Sequence, residues 1–285
     1  MNIQDACVGC IINQSARVAE AIHADEKLQT QLISTVEEMS KSFSFSQTPP
    51  QIAAYVYEKM ALIAGKNDLY DEVKEHSTQK ALSFVPLLHE ELEKSDDTLL
   101  TATKIAVAGN VIDLAAEVAF DLEEELSKIF ETEFAHNDFV QFKRSLEKAD
   151  TVLVIGDNVG EHIFDYVFIE TLQKLYPNAV FSYMVRGVPI INDVTMKEAQ
   201  EAGFDRLCNL VDSGVNTPGF DYARANVTAK ELYDSADVVI SKGMGNFESL
   251  SPTHRENVCF LLKVKCNVVA NFLGAEVGDI ICKVV

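Results

Sequence analysis

Apolar residues in the first half of the chain recur every three or four positions, the spacing that places them on one face of an α-helix. The pattern is clear over 11–19 and 52–64, and the longest periodic run covers 99–130. Only three of the 13 glycines fall in this half. Few glycines leave few tight turns and favour long helices. Residues 1–150 are therefore predicted to form an all-helical domain.

From residue 151 the pattern changes to short runs of β-branched and other apolar residues. Strands are predicted at 151–155, 179–184, 207–211, 237–240, 258–264 and 268–272. Helices are predicted between them, and Thr195 with Glu198 forms a capping-box pattern at the start of one. Alternation of strand and helix is typical of a parallel sheet with helices on both faces. Residues 151–285 are therefore predicted to form an α/β domain.

The composition narrows the classes of partner. The 285 residues are 47% apolar and 24% charged, a balance that allows a buried core. No run approaches the ~18 apolar residues of a membrane helix, and residues 1–5 lack the pattern of a signal peptide, which predicts a cytoplasmic protein. The net charge of −20 repels nucleic-acid backbones and anionic lipids. Neither a nucleic acid nor a membrane is expected as a partner.

Three clusters of polar residues follow predicted strands, at the edge where parallel sheets bind ligands. They are GDNVGE (156–161), RGVPIINDVT (186–195) and SKGMGNFE (241–248). Each cluster combines glycines, which allow a close approach of the backbone, with carboxylate, amide or cationic groups. The chemistry of the protein is therefore expected at these three positions.

The oxygen donors of Asp157, Asn158 and Asp193 suit a divalent ion such as Mg²⁺ or Mn²⁺ better than a structural zinc. Lys242 provides a counter-charge for a phosphate, and the flanking glycines expose backbone N–H donors beside it. A metal, an anion-binding loop and spare carboxylates together favour phosphate ester hydrolysis.

Each of these features also has a simpler explanation. Asp157 or Asn158 could cap the helix that follows. Asn192 and Asp193 could form an ordinary turn, and Lys242 could be a surface lysine. Because all three clusters follow strands of one predicted sheet, a common site explains them better than three coincidences.

Five segments carry motifs that are specific in combination. They are AGNVID (108–113), DNVGEHIFD (157–165), PIINDVT (189–195), SKGMGNFESL (241–250) and LLKVKC (261–266). Together they resemble the metal-dependent damage-control phosphatases, formerly a domain of unknown function, and Cys7 with Cys10 resembles the stand-alone prokaryotic branch. The resemblance implies a three-layer α/β/α, Rossmann-like domain that carries an all-helical N-terminal part. It also implies hydrolysis of sugar phosphates or phosphopantetheine-like esters with Co²⁺, Ni²⁺, Mn²⁺ or Mg²⁺ as the cofactor.

The resemblance implies that Asp157, Asn158 and Asp193 hold the divalent ion. The expected attacking group is a metal-bound water, with a covalent intermediate on Asp157 as the alternative, although the DxDxT signature of such enzymes is absent. Glu161 is expected to orient water or to protonate the leaving oxygen. The residues expected to contact a small phosphorylated metabolite are Arg186, Asn192, Lys242, Gly243, Gly245 and Asn246, with Lys242 counted as catalytic.

Two other classes of protein remain open. A non-catalytic protein that binds a metal or a phosphorylated metabolite would use the same residues without turnover. A Rossmann-like carboxyl methyltransferase would use the same sheet. However, residues 156–160 do not match GxGxxG, and an acid at that turn repels a pyrophosphate unless a metal intervenes.

Polar residues near these motifs leave further alternatives. Asn110 and Asp113 share one helical face inside an apolar stretch, and they either reach the cleft between the domains or form hydrogen bonds within the helical domain. His162 is expected to be a surface residue rather than a catalyst.

The six cysteines are too few for a disulfide framework in a chain of this length. Cys7 and Cys10 have CxxC spacing, which is half of a zinc site. With Cys266 as a third member, they either bind a metal, act as a redox pair or only pack in the core.

Overall fold

The computed structural model describes residues 1–111, 122–251 and 255–285. Asp113 lies outside these ranges. Within them, seven strands form one sheet. The strands are β1 (Phe134–Asn137), β2 (Thr151–Ile155), β3 (Val180–Val185), β4 (Asn209–Asp212), β5 (Val238–Lys242), β6 (Val258–Lys263) and β7 (Ile280–Val284).

Helices fill most of the remaining described chain. They are α1 (Asp5–Ala21), α2 (Glu26–Ser40), α3 (Pro49–Ala64), α4 (Asp71–Lys94), α5 (Thr98–Val111), α6 (Leu122–Glu131), α7 (Phe139–Leu146), α8 (Glu161–Leu175), α9 (Met196–Glu201), α10 (Phe204–Leu207), α11 (Val227–Ser235), α12 (Gly243–Leu250) and α13 (Asn267–Leu273). The predicted capping box is confirmed, because Thr195 N donates to Glu198 Oε2 over 3.0 Å at the start of α9. Across the described ranges, no helix is long and apolar enough to span a membrane.

The chain leaves the central strand β2 in two directions. The strand order is β1-β7-β6-β5-β2-β3-β4, and neighbouring strands are parallel except β6 and β7. The chain runs outward from β2 through β3 to β4 and then returns to β5 on the other side of β2. The carboxyl ends of β2 and β5 therefore meet at the switch point, where open α/β sheets bind ligands.

Alternate side chains of β2 enter two separate hydrophobic cores. Leu153 and Ile155 pack with α1–α3 and α11–α13 on one face of the sheet. Val152 and Val154 pack with α5 and α7–α10 on the other face, and α4 covers α5 and α8 through Phe84. A strand buried on both faces needs this continuous apolar sequence. The three-layer α/β/α arrangement confirms the predicted fold class.

Two predictions of secondary structure are wrong. Residues 1–150 are not helical throughout, because Phe134–Asn137 forms β1 and pairs with β7 at the edge of the sheet. Residues 268–272 lie in α13 rather than in a strand, and Gly274 ends that helix in a left-handed conformation. A short apolar run does not distinguish a buried strand from a buried helix. The last strand is β7, which the sequence pattern missed.

The N-terminal helices pack directly on the sheet. α1–α3 cover one of its faces, whereas α4 and α5 lie over the other. The predicted boundary at residue 150 falls between β1 and β2, so both cores draw on residues from each side of it.

A buried lysine joins α4 to the capping box of α9. Lys74 Nζ lies 2.8 Å from Asp68 Oδ2 and 3.4 Å from Glu198 Oε1. The Lys74 side chain is only 3% exposed. Glu198 also accepts a hydrogen bond from Thr195, which follows the Asn192-Asp193 loop. The N-terminal helices are thus tied by charge to the edge of the sheet where the predicted site lies.

Replacement of Lys74 by Met should lower the free energy of unfolding by about 3 kcal/mol, because it leaves buried carboxylates without their cation. The measurement is urea denaturation at neutral pH. Lys94→Met removes a lysine from an exposed ion pair at the end of the same helix and should leave the unfolding midpoint nearly unchanged. Equal midpoints for the two variants would contradict this role for Lys74.

Candidate active site

The loops that follow β2 and β3 pair with each other. Asn158 and Asp193 form an isolated antiparallel bridge. On either side of it, Val194 N donates to Asp157 O over 2.9 Å and Val159 N donates to Asn192 O over 2.8 Å. The backbone therefore brings together Asp157, Asn158 and Asp193, the three residues predicted to bind a metal.

Carboxylates outnumber cations at this position. Asp157, Glu161 and Asp193 are 7%, 4% and 2% exposed, and Arg186 between them is fully buried. Arg186 Nε donates to Asp193 Oδ2 over 2.8 Å, and Arg186 Nη2 lies 3.8 Å from Asp157 Oδ1. Arg186 therefore pairs with two of the three acidic side chains, Asp157 and Asp193.

The excess of acidic groups shows in their proton affinities. Burial raises the pKa of Asp157 well above its usual range, and the charges of Glu161 and Asp193 raise it further, against the opposing effect of Arg186. Burial also raises the pKa of Asp193 to about 6, although Arg186 opposes that shift. The cluster therefore favours an additional positive charge, either a proton or a cation.

Two amides bridge the carboxylates. Asn110 Nδ2 and Asn158 Nδ2 each donate to Glu161 Oε1 over 2.8 Å. The same two nitrogens lie 3.4 and 3.1 Å from Asp157 Oδ2. Asn110 Oδ1 accepts a hydrogen bond from Lys263 N over 3.1 Å. Of the two alternatives for Asn110, the structure thus supports the first, because this residue of α5 reaches the acidic cluster.

Lys242 lies in a buried ion pair beneath the cluster. Its Nζ is 2.5 Å from Asp165 Oδ1, and both side chains are fully buried. Tyr183 donates its hydroxyl to Asp165 Oδ2 over 3.0 Å. Lys242 is therefore not a surface lysine. Asp165 and Tyr183 were not predicted as partners, although Asp165 lies one helical turn after Glu161 and so shares its face of α8.

The glycines after Lys242 make two different close contacts. A Cβ atom on Gly243 would lie 1.8 Å from Asp157 Oδ2, and Gly243 has a φ of +75°. A Cβ atom on Gly245 would lie 2.2 Å from the Pro218 carbonyl oxygen. Gly243 therefore allows the turn after β5 to reach Asp157, whereas Gly245 packs against the neighbouring loop.

The two predicted substrate amides differ in what they contact. Asn246 Nδ2 donates to Gly156 O and Lys242 O, over 2.9 and 2.7 Å, and Oδ1 accepts from Phe220 N over 2.7 Å. These bonds use all the hydrogen-bonding groups of the side chain, so Asn246 holds three loops in place. Asn192 is half-buried, and its carbonyl supports Val159 as described above. Direct contact between either residue and a substrate stays a prediction.

His162 is fully buried, so its prediction as a surface residue is wrong. Its Nδ1 accepts a hydrogen bond from Gly160 N over 2.9 Å, and its ring stacks on Phe204. Burial lowers the pKa of His162 to about 4. The ring is therefore neutral at pH 7 and stabilises the turn between β2 and α8.

The cysteine pair lies on α1. Cys7 is buried in the core and Cys10 is exposed, and partial removal of each sulfur from water raises the pKa of both thiols. A charge on Cys266 would raise both values further, so this thiol is close. Cys7 packs in the core, while a metal-binding or redox role for the group stays a prediction.

Within the three described ranges, no group of three or more His, Cys, Asp and Glu side chains is arranged so that it could hold a metal ion. The predicted metal set contains only two such residues, Asp157 and Asp193, and takes its third donor from the amide of Asn158. The absence of such a group is therefore compatible with the predicted metal set.

The fold is that of an open α/β protein, and the acidic cluster is a candidate ligand site at the switch point of the sheet. Residues 3–281 match the damage-control phosphatase ARMT1-like domain, and the chain belongs to this family. The resemblance seen in the sequence motifs is confirmed, and family membership supports a phosphatase role.

Individual relatives align over nearly their whole length. The damage-control phosphatase PH1575 of Pyrococcus horikoshii is 31% identical, with 99% of this chain and 98% of the relative covered. A damage-control phosphatase of Archaeoglobus fulgidus is 28% identical over 100% of both chains. The crystal structure of a DUF89 family protein from Pyrococcus horikoshii has a TM-score of 0.91 at 29% identity, covering 100% of this chain and 99% of that one.

Gly243→Ala should reduce phosphatase activity about a hundredfold, because the new methyl group displaces the Asp157 carboxylate. Activity is measured as phosphate release from p-nitrophenyl phosphate in the presence of Mn²⁺. Gly274→Ala is the matched control, since Gly274 has a similar φ of +67° and open space around its Cβ position. It should lower stability by about 1 kcal/mol through backbone strain alone and retain activity. A Gly243→Ala variant as active as Gly274→Ala would contradict the assigned contact.

His162 should make the protein less stable as the pH falls from 7 to 5. The pKa of His162 is lower in the folded than in the unfolded state, so the unfolded chain binds the proton first as the pH falls. Proton binding therefore stabilises the unfolded state and lowers the free energy of unfolding. His162→Asn keeps an acceptor for Gly160 N but does not titrate. The loss of unfolding free energy between pH 7 and pH 5 should therefore be about 2 kcal/mol smaller in this variant than in the wild type. Urea denaturation at both pH values measures the difference. His76→Asn, at an exposed position on α4, is the control. Parallel pH profiles for the wild type and His162→Asn would refute the role of His162.

Proposed function

We propose that the protein hydrolyses phosphate monoesters of small metabolites with a divalent cation held by Asp157, Asn158 and Asp193. The observation that carries the proposal is the excess of buried acidic groups over Arg186 at the switch point. Buried carboxylates without enough counter-charge are costly, and such clusters pair with cations or coordinate metals. The sugar phosphates and phosphopantetheine-like esters suggested by the sequence motifs are candidate substrates.

The donor set fits a hard or intermediate ion. Two carboxylates and an amide supply only oxygen, the ligand that Mg²⁺ and Mn²⁺ prefer, and Co²⁺ or Ni²⁺ accept. Both amides at the site turn their NH₂ groups towards carboxylate oxygens, and a half-turn of the Asn158 amide would present its oxygen instead. A bound ion supplies a Lewis acid that polarises a phosphoryl oxygen and lowers the pKa of water.

Arg186 supports the binding of an anion. Its Nη1 and Nη2 atoms are buried and have no hydrogen-bond partner among the described residues. Two orphan donors on a planar guanidinium match the oxygens of a phosphate. We assign the phosphate contact to Arg186. The backbone at Gly243 would form the wall of the site that keeps the phosphate next to Asp157.

Lys242 contributes charge rather than an exposed contact. Its ammonium is paired with Asp165, so it would touch a phosphate only by sharing its protons between the two anions. Its positive charge nevertheless offsets Asp165 within a fully buried layer under the site. The ion pair therefore prevents Asp165 from adding to the negative charge of the site, which would repel a phosphate dianion.

Glu161 is the residue assigned to move a proton. Its Oε1 is held by the two amides, whereas Oε2 is buried without a hydrogen-bond partner in the described part of the chain. A carboxylate fixed at one oxygen can use the other to orient water or to return a proton to the leaving oxygen. A covalent intermediate on Asp157 remains the alternative to direct attack by water.

Asp157→Ala and Asp193→Ala should each lower turnover by about two orders of magnitude or more, since residues that only support metal ligands already cost 10- to 100-fold. Phosphate release from p-nitrophenyl phosphate with Mn²⁺ or Ni²⁺ gives the rate, and titration calorimetry gives the affinity for the metal. Both readouts should fall in these variants and stay unchanged in Asp205→Ala, an exposed aspartate on α10.

The wild-type enzyme should lose activity in EDTA and regain it when the metal is restored. Full activity of either variant in excess EDTA would refute the metal assignment. Binding of the metal and of a phosphate ester without any turnover would instead identify the protein as a non-catalytic binder.

A further inference from the structure

A cavity of about 680 Å³ lies between α3 and the loop that follows β3. This volume is within the range of small-molecule sites. Its walls include Ala54, Tyr57, Ala61, Val188, Ile190 and Asn216. Three of these residues belong to α3, and the others follow β3 and β4, so the cavity lies at the carboxyl edge of the sheet.

The cavity adjoins the acidic cluster. Its wall at Val188–Ile191 continues directly into Asn192 and Asp193. Tyr57 is close enough to Asp193 for the charge of that carboxylate to raise its pKa, in addition to the larger effect of burial. Neighbouring strands are about 5 Å apart, so a ligand that extends from β2 past β3 to β4 spans about 10 Å.

The connecting loop holds an unusual backbone conformation. Ile191 has a φ of +48°, which is strained for a β-branched residue. Asp193 N donates to Ile190 O over 3.0 Å and closes the turn. Strain of this kind persists where the surrounding structure fixes a functional segment. The same turn therefore positions Asp193 on one side and the cavity wall on the other.

Several polar groups of the cavity wall already have partners within the protein. Asn216 Oδ1 accepts a hydrogen bond from Arg224, and Tyr57 shares a hydrogen bond with Tyr70. Two charged residues at the rim are paired as well, since Asp68 is bound to Lys74 and Lys66 lies 4.0 Å from Asp71. Glu58, a third charged residue of the rim, is exposed to solvent. Along the wall formed by Ala54, Ala61, Val188 and Ile190, a polyhydroxylated ligand would lose hydrogen bonds to water without replacing them, whereas an apolar chain would not.

We propose that this cavity binds the organic part of the phosphate ester, and that the enzyme prefers monoesters with an extended, uncharged and largely apolar group over compact sugar phosphates. The inference rests on the proposed function, because it assigns the phosphate to Arg186 and the acidic cluster. The chain of the ester then leaves the switch point past Asp193 and lies between α3 and the loop 188–191.

The first test compares hexyl phosphate with glycerol 3-phosphate in the Mn²⁺-loaded enzyme. The wild type should have a kcat/KM about tenfold or more higher for hexyl phosphate. Ala61→Phe fills the cavity from the half-buried side of α3, and Val188→Phe fills it from the opposite wall. Each should raise the KM for hexyl phosphate about tenfold and leave glycerol 3-phosphate within twofold. Val140→Phe adds bulk at a 62% exposed position on α7 and should change neither.

The second test needs no turnover. In methyl NMR spectra, 1-hexanol should shift the Ala54 and Ala61 signals of the wild type and should not shift the Ala54 signal of Ala61→Phe. Equal kcat/KM values for both esters, with no hexanol shifts, would overturn the inference and leave the phosphatase function standing. Absence of turnover with every ester would overturn the proposed function, and the hexanol shifts would still decide whether the cavity binds an alkyl chain.

Discussion

An excess of buried acidic groups over Arg186, at the carboxyl ends of β2 and β3, is the constraint on which the candidate site depends. Two of the three acidic side chains there pair with Arg186. Burial makes the repulsion among the three strong because the surroundings screen it poorly. Arg186 is fully buried, and the amides of Asn110 and Asn158 bind the same two carboxylates. Gly243 leaves room for Asp157 only because it lacks a side chain. These contacts therefore restrict both the conformation of the surrounding loops and the residue types that they can contain.

The helical N-terminal part belongs to this site as much as the sheet does. Asn110 reaches the acidic cluster from α5, and Lys74 on α4 joins the capping box that follows Asp193. On the other face, α3 supplies one wall of the largely apolar cavity. The two faces thus contribute different chemistry to the same edge of the sheet. Charged and amide groups surround the switch point, and an apolar space begins next to it.

Lys242 and Arg186 differ in how completely their charges are paired within the protein. Both side chains are fully buried. Lys242 forms an ion pair with Asp165, so its charge is balanced within the protein. Arg186 pairs through Nε and keeps two terminal nitrogens without a hydrogen bond. Because an orphan buried donor is costly, the arrangement favours an anionic ligand at Arg186.

Local pattern in the sequence was enough to predict the mainly parallel sheet, the five strands from β2 to β6, the capping box at Thr195 and the proximity of Asp157, Asn158 and Asp193. These features depend on neighbours in the chain or on the rule that ligands bind at strand ends. The tertiary structure alone decided that Phe134–Asn137 joins the sheet, because four residues of mixed polarity carry no clear periodicity. It likewise decided that 268–272 is helical, because a short apolar run fits either state. It also decided that Lys242 pairs with Asp165, that Asn110 reaches Glu161 and that Asn246 is fully used in holding loops. Those outcomes depend on distances between residues far apart in the chain, which periodicity and spacing do not contain.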